Sequence, residues 1–359
     1  MNVRRFLLRC VALGSALLPL RGAVAVPIPP ALRQTTNGES IRPTVAQSVE
    51  AGVTKLKSED PAAQAEGRGE LIENVEAGPA APSAAYLNVY ADVLNTELLK
   101  IANDEHPRVR LNVALVAAKV AEKANNPRLV STVVDLLDDS NEGVVNWALK
   151  ACKFLIGPAH TATGGPQAIK LMPAFVAAAK KYVASGPMIQ IAYDSLRGVD
   201  TGNAPPAAMK AAVDAAQALL QERRNLYLKS IPEFAASENS VVTFLSGSRI
   251  WKAQSPAQQL ATLQLLSDMT SILAQRFAVV DAIQRRELAE MIKNLGGALT
   301  VVGGWTDTQA KMDAFAKPLT KVSGIMPGDQ VVGLSKAVYT GLTGIAQWKD
   351  LKPPPTIEK

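Results

Sequence analysis

Two histidines, His106 and His160, and two cysteines, Cys10 and Cys152, are the whole supply of imidazole and thiol in 359 residues. A zinc centre of the usual nitrogen and sulfur type needs three or four such ligands close together, so neither a metal site nor another cofactor is expected. His106 follows Glu105 in a polar turn, where a solvated side chain and a proton-transfer group both fit. His160 lies in the Gly- and Pro-rich stretch Gly157 to Pro166, read as an irregular loop. Long loops on rigid scaffolds often carry function, which makes His160 a candidate for contact with a partner as well as part of a simple connector. Cys152 sits in the apolar run Ala148 to Ile156 and reads as a small buried hydrophobe.

Charged clusters offer binding more readily than catalysis. Asp135, Asp138, Asp139 and Glu142 surround one turn, but without the interleaved acids and central Gly of a calcium loop, so helix capping and solvation account for them. Arg108 and Arg110 open the preceding helix. They could grip an anionic group, or pair with the acids around Asp138 if successive units place their turns side by side. Arg223-Arg224 and Arg285-Arg286 read as solvated faces. Trp305, in Gly303-Gly304-Trp305-Thr306-Asp307, could cover a pocket or pack on neighbouring helices. No Gly-x-Ser-x-Gly, Ser-x-x-Lys, His-Glu-x-x-His, Cys-x-x-Cys or Gly-x-x-x-x-Gly-Lys sequence occurs, which disfavours the corresponding hydrolases, redox proteins and nucleotide-binding enzymes.

The elements that must position these residues are helical. Apolar residues make up 48% of the chain and aromatics 5%, with Ala-rich stretches that favour close helix packing over sheets. Residues 1–25 read as a signal peptide: Arg4, Arg5 and Arg9, the short apolar run Val11 to Leu20, then Ala23-Val24-Ala25. The expected locations are therefore the periplasm, the cell envelope or the extracellular space, with no transmembrane anchor after cleavage. Four of the arginines leave with that segment, which lowers the formal charge from +6 to +2 and removes the main support for nucleic-acid binding.

Residues 26–42 read as a flexible leader, and regular structure is expected after Pro43. Val45, Val49, Val53 and Leu56 share a helical face, and Asp60-Pro61 opens a second helix that Gly67 and Gly69 should weaken or break. Helices are expected over Tyr86 to Ala102 and Pro107 to Lys123, then over the run from Leu129 to Leu137 and the one that begins at Val144. A further pair covers Ala168 to Val183 and Pro187 to Leu196.

The turns Asp104-Glu105-His106-Pro107-Arg108-Val109-Arg110 and Asp138-Asp139-Ser140-Asn141-Glu142-Gly143-Val144-Val145-Asn146-Trp147-Ala148 resemble the HEAT-repeat pattern, with weaker echoes at Asp60-Pro61 and Gly186-Pro187-Met188. Aligned turns fall 46, 35 and 45 residues apart, near the roughly 40 to 47 of HEAT and armadillo units. Val145 stands where that family often has Arg, which bears on any polar ladder between units. The resemblance implies an all-α fold: a right-handed α-solenoid of HEAT-like helical pairs over residues 43–200.

A C-terminal helical domain over 204–350, which does not repeat the pattern, should follow. There Ser255-Pro256-Ala257-Gln258 has the form of a capping box, and the Gly- and Pro-free run beyond it either forms one long helix or bends near Asp281 to Gln284, with Gly296-Gly297 as a stop. A Pro-rich tail is expected over 351–359. The function expected is that of an exported, non-catalytic scaffold that binds an unidentified protein partner through a concave repeat face, with Arg108, Arg110, His160 and Trp305 as candidate contacts. A secreted enzyme on a helical scaffold, such as a polysaccharide-degrading one, and a small-molecule or lipid carrier are the alternatives.

Overall fold

The computed structural model describes residues 28–358 except 77, 79, 162–165, 201–203, 233–234, 303–310 and 312. The signal-peptide segment and Trp305 therefore lie outside the described residues. Every regular element among those described is helical.

Helices α1 (Pro30–Arg33), α2 (Arg42–Leu56), α3 (Pro61–Glu73), α4 (Ala84–Leu99) and α5 (Pro107–Ala124) are followed by α6 (Val130–Leu137), α7 (Glu142–Thr161), α8 (Pro166–Lys181) and α9 (Gly186–Leu196). Next come α10 (Pro206–Lys229), α11 (Glu238–Ser246), α12 (Ser248–Ala253), α13 (Pro256–Val279), α14 (Ala282–Val301) and α15 (Gly328–Thr343). Local chemistry sets the starts. The side chains of Asp60 and Ser83 accept from the amides of Ala62 and Tyr86, and α3, α5 and α13 each carry Pro in the first turn, where an N–H has no helical partner. Asn125 ends α5 in the left-handed region at φ 44°.

Packing arranges the pairs in two layers. Helices α2, α4, α6, α8 and α10 stack in one, and α3, α5, α7, α9 and α11 in the other. Each pair buries the stripe its sequence supplies, for example Val109, Val113, Val116 and Val120 on α5 and Val144, Val145, Ala148 and Cys152 on α7. The layers continue beyond the residues that match the repeat pattern. Helix α13 packs on α10 and α14 on α11, and α15 then covers α13. Helices that do not obey the repeat rule in sequence thus extend the same stack.

Several sequence expectations are corrected here. Residues 28–42, read as part of a flexible leader, are docked: Ile28 is buried, and Arg33 donates through Nη1 to the Glu73 carbonyl at 3.0 Å. Helix α3 is not broken at its glycines. A Cβ on Gly67 would lie 2.6 Å from the Gly52 carbonyl oxygen, so the glycine permits a close crossing of α2 and α3.

Helix α14 likewise runs through Gly296-Gly297, because Gly296 lies against the 3-10 turn Lys317–Lys321, where a Cβ would sit 2.7 Å from Leu319 Cβ. The run after Ser255 does bend. Asp281 starts α14 by accepting from the amides of Ile283 and Gln284, each at 2.9 Å. The capping box at Ser255 and Gln258 is formed as expected. The Pro-rich residues 351–358 lie along α13.

Candidate functional site

Helix α7 presents two faces. Its buried stripe holds the layer together, while Trp147, Lys150 and Phe154, three and four residues apart, share the other face. Between the neighbouring helices α5 and α9 this face forms an open groove of about 270 Å³. Ala118, Lys119 and Glu122 line one side, and Ile191, Asp194 and Ser195 the other. A second hollow of about 430 Å³ adjoins it, sharing Lys153 and Phe154 and reaching Pro158, Thr161 and Pro205. Together they make a trough along α7 that crosses three successive helices of one layer.

The charges of this trough are unevenly matched. Glu122 meets Lys119 at 3.4 Å, and Asp194 accepts from Gln190 at 3.0 Å and Ser240 at 2.8 Å. Lys150 instead lies over the Trp147 ring, 4.3 Å from its centroid, and Lys153 lies 5.7 Å from the centre of the Phe154 ring. Such ammonium groups over aromatic faces leave donors available to an incoming carboxylate. The trough offers aliphatic and aromatic area with cations at its edge, a combination that suits a peptide with apolar and acidic side chains.

The residues singled out from the sequence are distributed differently. Arg110 joins two turns: its Nε lies 2.6 Å from Asp139 Oδ2, and Nη1 donates to the Asp104 carbonyl at 2.7 Å. This is the pairing with the next turn's acids that side-by-side stacking implied. It is a rung of polar ladder made without an Arg at position 145.

Arg108 stands exposed on the first turn of α5. His160 is not on a loop; it occupies the last turn of α7, where its Nδ1 donates to the Ile156 carbonyl at 2.7 Å. The helix passes through Gly157-Pro158 because Leu155, Ile156 and Ala159 are all buried, and that burial outweighs the hydrogen bond Pro158 cannot make. Arg108, Arg110 and His160 thus do not converge. Sequence reasoning missed Lys150 and Phe154 and took Trp147 only as part of a repeat turn; the three-and-four spacing on the face opposite the aliphatic stripe was the available signal.

The strongest internal electrostatic feature lies elsewhere. Arg223 on α10 and Glu238 at the start of α11 are both fully buried and joined by a short hydrogen bond. Tyr227 Oη donates to the other Glu238 oxygen at 2.9 Å, and Arg223 also donates to the Val183 carbonyl at 3.0 Å. Burial pushes the Glu238 carboxyl above its ordinary value, against the opposing pull of Arg223. This cluster ties the α8–α9 turn to α10 and α11 and has no opening to a substrate. Burial also raises the Cys152 thiol well above its ordinary value, which leaves it inert. Among the described residues no group of three or more His, Cys, Asp and Glu is placed to hold a metal ion, and no helix is long and apolar enough to cross a membrane.

No protein-family model matches the chain, and no curated protein matches it. Among solved structures it is similar to two engineered proteins from a structural genomics programme. One is 18% identical with a TM-score of 0.45, over 70% of this chain and 97% of that one. The other is 16% identical with a TM-score of 0.44, over 87% of each. A designed armadillo repeat protein, 16% identical, aligns over 76% of this chain and all of its own length at a TM-score of 0.39. In fold, the described residues form an α-helical repeat stack, two layers of successive helical pairs.

Proposed function

We propose that the protein is a non-catalytic binding scaffold whose trough along α7 holds an extended or helical segment of a partner protein, with export to the cell envelope or beyond as part of the same reading. The observation that carries the binding half is the alignment of Trp147, Lys150 and Phe154 on the face of α7 that its own packing leaves open, between α5 and α9. Aromatic side chains anchored on a rigid helix offer large contact area at little entropic cost, and flanking cations add selectivity for acidic partners. The export half is supported by the charged, then apolar, then small-residue order of residues 1–25.

The test places a photo-crosslinking amino acid at Phe154, and separately at Thr340 on α15 as a control, in cells that make the protein. A single partner crosslinked from Phe154, absent from Thr340 and lost when Lys150 and Lys153 are changed to Glu, is the expected outcome. Identical patterns from both positions would remove the trough from consideration. Fractionation of the same cells reports export: the protein should appear outside the cytoplasm, shortened at its N-terminus. The enzyme alternative predicts turnover of a polysaccharide panel, and the carrier alternative a lipid that copurifies and is seen by mass spectrometry.

A further inference from the structure

Residues 351–358 (LKPPPTIE) run along α13 in a manner set by two glutamines. The Gln264 side-chain amide pairs with both backbone groups of Lys352, donating to its carbonyl at 3.0 Å and accepting from its N–H at 2.7 Å. The Gln275 amide repeats the arrangement, donating to the Pro355 carbonyl at 3.0 Å and accepting from the Ile357 N–H at 3.2 Å. Glu358 N–H then donates to the Leu228 carbonyl at 3.0 Å, at the end of α10.

Each glutamine is itself oriented by a residue four positions away on α13. Gln264 Nε2 also donates to Asp268 at 2.8 Å, and Gln275 Nε2 to Ser271 at 3.2 Å. The two clamps stand eleven residues apart on α13, about 16 Å along its axis. A proline-rich extended chain rises about 3.1 Å per residue, so five residues cover that distance, as Lys352 to Ile357 do.

What these contacts recognise is general rather than tied to each side chain. The clamps touch main chain only. The three residues between Lys352 and Thr356 are Pro353, Pro354 and Pro355, which carry no N–H that would need a partner there. Leu351 is buried and Ile357 half-buried, six positions apart, while Lys352, Pro353, Thr356 and Glu358 are exposed. Tyr339 Oη on α15 also donates to the Leu351 carbonyl at 3.3 Å, and Arg276 Nη1 to the Glu358 carbonyl at 3.5 Å. A terminal segment held by side-chain hydrogen bonds to its main chain, with Leu351 as its one buried side chain, opens more readily than the helices beneath it.

We propose that α13 carries a second binding site, for an extended proline-rich peptide with aliphatic residues six positions apart, and that residues 351–358 occupy it in cis as an exchangeable substitute. The site uses α13, α15 and the end of α10 and none of the helices that line the α7 trough, so it stands or falls independently of that reading. An incoming peptide meets the same amide pairs, and its apparent affinity is reduced by the fraction of time the resident segment is seated.

The test titrates full-length chains into a fluorescein-labelled peptide of residues 350–358 and follows anisotropy. An Ile357→Asp chain, whose own segment is loosened while the clamps are untouched, should bind about tenfold or more tighter than the wild type. Adding Gln264→Ala and Gln275→Ala to it should lose that gain. Equal binding by the wild type and Ile357→Asp, or binding indifferent to the two glutamines, would overturn the proposal. So would a concentration-dependent dimer of the wild type that excludes the peptide, since the site would then serve only copies of the chain. Amide exchange on the unaltered protein gives a second reading: Lys352 and Ile357 should exchange about a hundredfold or more faster than the centre of α13, and equal protection would contradict the exchange.

Discussion

Arg110 and Asp139, 29 residues apart, join the turns of two successive helical pairs through a 2.6 Å contact between Nε and Oδ2. Both side chains are largely buried, and Asp139 also accepts from the Asn141 amide at 2.7 Å, so the pair fixes the turn as well as the stacking. Arg110→Ala should lower stability by about 2 kcal/mol in urea unfolding, because it leaves a sheltered carboxylate and the Asp104 carbonyl without their charged donor.

The same pair predicts a pH dependence. Burial opposes ionisation of Asp139, but the Arg110 hydrogen bond, the Asn141 amide and the nearby cations together hold its carboxyl below the ordinary range. A carboxylate lowered in the folded state stabilises fully above its unfolded value, about 3.9, and loses that contribution as the pH falls through the folded value. The stability advantage of the wild type over Asp139→Asn should be constant above about pH 5 and shrink as the pH falls below about 4. Paired urea titrations across that range check it, and an advantage that grows on acidification would contradict the assignment.

Arg223 and Glu238 carry a larger penalty if separated. With both side chains fully buried, Arg223→Ala leaves Glu238 without its cation and should cost about 3 to 5 kcal/mol. Replacing both by apolar residues of similar volume should cost less than the single change. Chemical denaturation of the Arg223→Ala chain and of the double apolar variant compares the two costs directly.

Two glycines of α3 should respond oppositely to alanine. A methyl group on Gly69 would have no neighbouring atom within 4 Å, so Gly69→Ala should gain up to about 1 kcal/mol from helix propensity. At Gly67 the methyl would meet the Gly52 carbonyl at 2.6 Å, and Gly67→Ala should destabilise despite the same propensity gain. Thermal melts of the two variants separate these effects.

For the trough, Trp147→Ala and Lys150→Glu should each abolish crosslinking from Phe154. Lys150→Glu should leave the melting temperature nearly unchanged, because its ammonium group rests on the Trp147 ring at the surface of the stack rather than in the core. Loss of partner with retained stability distinguishes a binding role from a structural one.

The sequence alone determined most helices of the residue 43–200 repeats and their pairing. The stripe Val109, Val113, Val116 and Val120, the caps at Asp60 and Ser255 and the repeated Asp-rich turns all express periodicities and local hydrogen bonds that act within a few residues, and each is present in the structure. Even the Arg110 pairing was legible, because equivalent positions of stacked units come side by side.

Where local rules failed, contacts distant in the chain had outweighed them. Gly67 and Gly296 read as breakers, yet each marks a place where another segment approaches too closely for a Cβ, and Pro158 is carried inside α7 by the burial around it. Only the tertiary structure decided that the helices after Pro206 continue the same two layers, that Trp147, Lys150 and Phe154 face an open trough, and that Gln264 and Gln275 hold a segment some 80 residues further along the chain. Those relationships depend on which surfaces remain unburied after the helices have packed, a quantity that no local pattern encodes.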